Sequence, residues 1–337
     1  MHVLILVPGR QVETLQASPL VRTVAAGFPE ARITLACSPN AARVARGLEE
    51  VQEVLPLRGL DPEGPLLAWT VAWARLRHRR FDVAFVCGTT PTTRLLAYLA
   101  GVPRRLGPGG GLTTVLLTGR VHAERGENRA ATWLRLARLA GVHAERHLPR
   151  FEPGQVAAQQ ALIQLHSTGI GDGRLIVAMA PGWGHSDVSG LDPSLTAWEP
   201  ERWAHLANQL GARHGAGVIF VGAADDQAAV HAAAADMSVP HADVTGQLDT
   251  AAVAALFRLC DLLVSGDSPL LHLAAGVGTP TVGLFGPTDG RRRGPYGGEH
   301  RVVQALPPPG RRQDWPDQAL MDRIRVDDVL AGIEYPV

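Results

Sequence analysis

The residues best suited to chemistry stand close together in Ser265-Gly266-Asp267-Ser268-Pro269-Leu270-Leu271-His272. An apolar run ends at Ser265, Ser268 is a helix N-cap residue, and Pro269 suits the first helical position. The free amides of Leu270 and Leu271, the helix dipole and His272 would together make an anion site, and a nucleotide diphosphate fits that chemistry. The plainer reading, a capped helix with a solvated histidine, uses the same residues. A Gly/Pro-rich segment follows from Gly278 to Asp289, then Arg291, Arg292 and Arg293. Its tight turn brings Thr288 within reach of a phosphate or ribose. The arginines read either as phosphate partners or as a solvated loop.

The elements that must hold these residues follow an alternating pattern. Strand-like apolar runs at 2–7, 32–37, 51–57 and 82–87 are separated by helical stretches at 13–26, 65–79 and 92–100, with a further helix at 130–140. The alternation restarts with strands at 175–180, 217–222, 262–265 and 281–285 and helices at 200–213, 226–236, 250–260 and 269–276. Short apolar runs joined by helices predict βαβ units and parallel sheets. Two doubly wound α/β domains are therefore expected, at 1–155 and 170–310, joined through a connection at 149–173 that includes a Gln/Ala-rich helix, with residues 311–337 packing back towards the first domain. Ligands of such sheets sit beyond the carboxyl ends of the strands. No dinucleotide fingerprint opens either half: the first strand runs into Pro8-Gly9-Arg10-Gln11-Val12, without G-x-G-x-x-G, which weakens a dehydrogenase reading.

Composition removes other classes. The 337 residues include 32 basic ones, all arginine, against 32 acidic, so the formal net charge is zero and there is no lysine. Schiff-base enzymes, P-loop NTPases and protein kinases, which need a lysine, are excluded. Zero net charge argues against a nucleic-acid partner. Cys37, Cys87 and Cys260 lie in apolar runs without metal-ligand spacing and read as buried free thiols of a reducing, cytoplasmic compartment. No metal or cofactor is expected. The basic stretch Arg75-Leu76-Arg77-His78-Arg79-Arg80 is either a contact to anionic lipid at the inner face of a membrane or a helix end favoured by its dipole.

From Asp261 to Tyr296 the chain resembles the heptosyltransferases of glycosyltransferase family 9, whose hallmark is Asp-Ser-Gly-Pro-Met-His-Leu-Ala-Ala, then Gly-Thr-Pro-Thr-Val and Phe-Gly-Pro-Thr-Asp. The matching positions are Asp267, Ser268, His272, Leu273, Ala274, Ala275, Gly278 to Val282 and Phe285 to Asp289. Pro181-Gly182, with Trp198 and Trp203 beyond, resembles the family's Pro-Gly loop leading to Lys-x-Trp-Pro. Thr245-Gly246 resembles its Leu-Thr-Gly turn. The resemblance implies a GT-B fold, two Rossmann-like domains facing a central cleft, with the acceptor held mainly by the first and the nucleotide-sugar by the second. It implies a metal-independent inverting transferase that takes a sugar, heptose from ADP-heptose, to a cell-envelope glycan or glycolipid. A carboxylate after the first strand would take the acceptor proton, and the helix N-terminus and cationic groups would stabilise the leaving diphosphate.

Where the family has a Gly-Asp pair for that base, this chain has Val12-Glu13, so Glu13 is the candidate. The family glycine after Asp-Ser is Pro269, and the family lysine before the tryptophan aligns with Thr196. Arg10, Arg291 or a neighbouring arginine, and His185 in the enlarged loop, are candidates to make the phosphate contact. Asp225 and Asp226 fall where the family has an acidic residue facing the ribose, a position that also suits helix capping. Two further readings stay open: a catalytically inactive nucleotide-sugar-binding homologue, and a GT-B-like sugar-nucleotide epimerase.

Overall fold

The computed structural model describes residues 1–60, 66–142, 147–171, 173–182, 193–305 and 318–333. The chain divides into two units, Met1–Phe151 and Glu152–Val337.

The first unit runs β1 (His2–Val7), α1 (Gln11–Gly27), β2 (Arg32–Cys37), α2 (Ala42–Ala45), β3 (Glu53–Pro56) and α3 (Leu66–Arg77). It continues through β4 (Val83–Val86), α4 (Pro91–Leu99), β5 (Arg104–Pro108), β6 (Gly119–Val121) and α5 (Arg129–Leu139). All six strands are parallel, in the order β3-β2-β1-β4-β5-β6. The alternation of side chains along β1 explains its unbroken apolar run. Val3, Ile5 and Val7 enter the core under α1, α2 and α5, whereas Leu4 and Leu6 enter a second core under α3 and α4. Strand order reverses between β1 and β4, the place where such sheets open a crevice at their carboxyl ends. There a Cβ on Gly88 would lie 2.3 Å from the Pro8 ring, so the two loops touch only because residue 88 is glycine.

The second unit comprises α6 (Gln155–Thr168), β7 (Ile176–Ala180), α7 (Pro200–His214), β8 (Gly217–Phe220), α8 (Gln227–Ala234), β9 (His241–Asp243) and α9 (Thr250–Phe257). After these come β10 (Leu262–Gly266), α10 (Pro269–Val277), β11 (Thr281–Phe285), α11 (Gly290–Arg293), β12 (His300–Gln304) and α12 (Val326–Ile333). Its parallel order, β12-β11-β10-β7-β8-β9, repeats the plan of the first, with the switch between β7 and β10.

Two sequence expectations change. The stretch expected as an interdomain connection contains α6, which packs on α9 and belongs to the second unit; Gln164 donates to Gln247 at 3.0 Å and Arg258 holds Glu152 with two bonds. The C-terminal segment was expected to pack back on the first domain. Its described part instead closes the second core: Leu320, Met321, Ile324, Val329 and Leu330 are buried there, and the Trp198 indole donates to the Ile324 carbonyl at 2.8 Å. The apolar stripe of α12 announces burial, but a stripe does not say which sheet it covers. Among the described residues no helix is long and apolar enough to cross a membrane.

Candidate functional site

In the first unit the site grows from the turn after β1. Arg10 is the extended N-cap of α1, and its amide donates to Glu13 Oε2 at 3.0 Å. That return of the carboxylate needs Gly9, whose φ is +106° and whose Cβ, if present, would stand 2.8 Å from the same oxygen. The other oxygen, Oε1, accepts from Arg129 Nη1 at 2.6 Å; the guanidinium also reaches Gln16 Oε1 at 3.3 Å. Arg129 opens α5, capped by the Asn128 side chain on the Ala130 amide, and α5 packs along α1. Each carboxylate oxygen has one partner and keeps a lone pair, and the Glu13 side chain retains 16 % of its exposure. In the same unit, the fully buried Arg94 of α4 donates to the carbonyls of Gly110 (2.6 Å) and Pro108 (2.7 Å). It thereby fixes a glycine turn beyond β5 in which Gly110 and Gly111 have φ of +111° and +72°. Burial lowers the Arg94 pKa.

In the second unit the core of the site is an ion pair. Asp267, after β10, is enclosed, and Arg293 of α11 donates to it through Nε at 2.5 Å and Nη2 at 3.4 Å. Arg291 points elsewhere: it is exposed and pairs with Asp289, the cap of α11. Ser268 has the extended backbone of an N-cap, but its hydroxyl bonds Ser265 Oγ at 2.8 Å and does not cap α10. The first-turn amides of Leu270 and Leu271 are thus not taken by the Ser268 side chain. The Leu271 side chain itself is core, packed over Gly283, where a Cβ would lie 2.8 Å away. His272 is buried, which sets aside the solvated-histidine reading.

Gln304 knits the next turn. Its Nε2 donates to the carbonyls of Phe285, Gly286 and Thr288, and its Oε1 accepts from the Gly290 amide at 2.8 Å. Thr288 is thereby held with a buried hydroxyl that has no hydrogen-bond partner among the described residues. Beyond β7 and β8, Asp226 folds onto Gly182: a Cβ at Gly182 would lie 2.2 Å from its carboxyl carbon. Asp226 Oδ2 accepts from the Ala223 amide at 2.9 Å, so the buried Asp226 closes the short 3-10 turn before α8 without its side chain capping α8, while Asp225 is exposed. Pro181 is buried beside Gly182. Thr196 is buried as well, and its carbonyl lies 3.7 Å from where a Gly266 Cβ would stand, next to Asp267. His185 lies outside the described residues. Among those residues no three His, Cys, Asp or Glu side chains group to hold a metal ion. Burial pushes the thiols of Cys87 and Cys260 up, the latter to about 12, so neither is poised to react.

Sequence reasoning thus finds the residues of each loop. It does not find Arg129 or Gln304, and it names Arg293 only among neighbours of Arg291.

The profile of glycosyltransferase family 9 (heptosyltransferase) matches residues 70–314. The chain belongs to glycosyltransferase family 9. A 24 % identical relative, lipopolysaccharide heptosyltransferase 2 of Escherichia coli K12, aligns over 91 % of this chain and 88 % of its own; the Salmonella typhimurium protein of that name aligns equally well. Among solved structures, the family 9 glycosyltransferase of Veillonella parvula superposes with a TM-score of 0.84 at 18 % identity, covering 99 % of this chain and 96 % of the other. The E. coli ADP-heptose heptosyltransferase II gives 0.74 at 22 %, over 99 % and 98 %. These likenesses establish the GT-B fold for this family 9 chain, a glycosyltransferase with two parallel six-stranded sheets.

Proposed function

We propose that this family 9 transferase moves heptose from ADP-heptose to a lipopolysaccharide-core acceptor, with inversion and without a metal. The observation that carries the reading is the Asp267–Arg293 pair beside the uncapped first turn of α10. Enclosed Asp267 orients a guanidinium, the cation that a chain without lysine can offer a diphosphate, and the amides of Leu270 and Leu271 add donors. Thr288, whose hydroxyl is buried without a partner among the described residues, and buried His272 are further candidate donors, and Thr196 offers a hydroxyl and a carbonyl at the place of the family lysine. Arg10 is a second cation for the leaving group, and Asp226 beside Gly182 is suited to the ribose hydroxyls.

In the reaction the acceptor hydroxyl oxygen attacks the anomeric carbon, the bond from that carbon to the diphosphate oxygen breaks, and ADP leaves with the electron pair. The hydroxyl proton passes to a lone pair of Glu13. Arg129 acts through Glu13 by fixing the carboxylate's orientation. A glycolipid acceptor places the protein in the cytoplasm with peripheral contact at the inner membrane.

Incubation with ADP-heptose and heptose-deficient lipopolysaccharide core, followed by mass spectrometry, should show the added heptose and stoichiometric ADP. Absence of both, with no preference among ADP, UDP and GDP in titration calorimetry, would overturn the reading. The inactive-homologue alternative draws on the two partners already held by Glu13, and transfer in this assay removes it. Isomerised nucleotide-sugar without acceptor would instead favour the epimerase.

A further inference from the structure

The helix layer over one face of the first sheet carries a chemistry that sugar transfer does not use. Residues 66–123 hold eight arginines and a single carboxylate, Asp82, in a chain of zero net charge. Arg94 is buried and Arg79 is paired with Glu53 at 2.6 Å. Arg75, Arg77, Arg80 and Arg104 are exposed, and among the described residues no carboxylate stands against them.

The same layer thrusts apolar side chains into water. Leu67 and Val71 stand out of α3, Leu95 and Tyr98 out of α4, and Leu112 and Val115 out of the short 3-10 turn after β5, the last two 95 % and 81 % exposed. These parts are joined. The Trp73 indole of α3 donates to the Leu99 carbonyl of α4 at 2.9 Å, Arg94 of α4 holds the Gly110 carbonyl before the turn, and the Arg105 guanidinium lies 5.3 Å from the Tyr98 ring centroid. Leu67, Val71 and Arg75 recur at a four-residue spacing, so apolar and cationic groups share one stripe of α3.

We propose that the outer face of α3, α4 and the turn Leu112–Leu116 docks the protein on an anionic phospholipid bilayer. Protruding aliphatic groups enter the acyl boundary while arginines meet lipid phosphates. A nucleic acid would engage the charge but leave the leucines and valines in water. Exposure this complete on a loop suits insertion into a fluid interface, where no preformed pocket is required. The proposal gives the glycolipid-acceptor reading a surface and rests on that reading for its purpose alone.

Co-sedimentation with vesicles of about 30 % phosphatidylglycerol in phosphatidylcholine tests it, against pure phosphatidylcholine. The expected result is binding to the anionic vesicles only, weakened more than about tenfold by Arg75→Glu with Arg104→Glu. Leu112→Asp with Val115→Asp should abolish what remains at high salt. Both variants should titrate ADP like the parent, which separates lost docking from unfolding and from failure of the donor-site reading. No vesicle binding, equal binding to both vesicle types, or parent-like binding by both variants would overturn the proposal.

Discussion

The two units each hold a carboxylate against an arginine beyond a central strand, and the pairs differ in how much water reaches them. Glu13 and Arg129 meet at 2.6 Å with side chains 16 % and 34 % exposed; Asp267 and Arg293 meet at 2.5 Å with 1 % and 15 %. An open pair contributes about 0–1 kcal/mol and leaves its carboxylate within reach of a hydroxyl. An enclosed pair is a structural unit: removing one partner strands a buried charge, at a cost of about 3–5 kcal/mol. The same ion-pair chemistry thus gives a base in one unit and a fixed cation in the other.

That contrast breaks most severely at Glu13. Glu13→Gln keeps an oxygen for the Arg10 amide but loses the proton acceptor, so turnover should fall about 100- to 10,000-fold while the melting temperature holds. Unchanged turnover would remove Glu13 from the reaction. Asp267→Ala should instead lower unfolding stability by about 3–5 kcal/mol, read as a urea midpoint at constant slope. A parent-like midpoint would mean that the pair is not the enclosed unit described. Arg293→Gln should weaken ADP about 10- to 100-fold. Asp267→Asn combined with Arg293→Gln should recover stability without recovering ADP affinity, separating structure from binding.

The smallest effect lies outside both pairs. Burial lowers the His300 pKa to about 4, with its Nδ1 against Thr281 Oγ1 at 3.1 Å. Between pH 6.5 and 4 the unfolded chain then binds the extra proton. Stability from this group is complete above the unfolded value and is lost as pH falls, by about 1–2 kcal/mol after allowing for solvent at the ring. His300→Gln should flatten that slope in a series of urea melts; an unchanged slope would assign it to other groups.

Strands β1, β2 and β11 were legible end to end because each is an apolar run buried on both faces and bounded by turn residues. Strands β5, β6, β9 and β12 were not. Arg104-Arg105-Leu106-Gly107-Pro108 carries too little apolar pattern to read as a strand, and its pairing is supplied by β4. The site divides in the same way. Asp267, Ser268 and His272 share one loop and helix start, so local spacing exposes them. Arg129 reaches Glu13 across 116 positions of sequence and Arg293 reaches Asp267 across 26, and no local pattern encodes such meetings. The half-buried amide of Gln304 looks like any polar residue of an edge strand until the four main-chain carbonyls it serves are seen.

The division of labour between the pairs is tested most directly by titrating ADP into the parent protein, Glu13→Gln and Arg293→Gln side by side in a calorimeter. Parent and Glu13→Gln should bind ADP alike, with Arg293→Gln weaker by about 10- to 100-fold. Equal affinity in all three, or a loss confined to Glu13→Gln, would contradict the account.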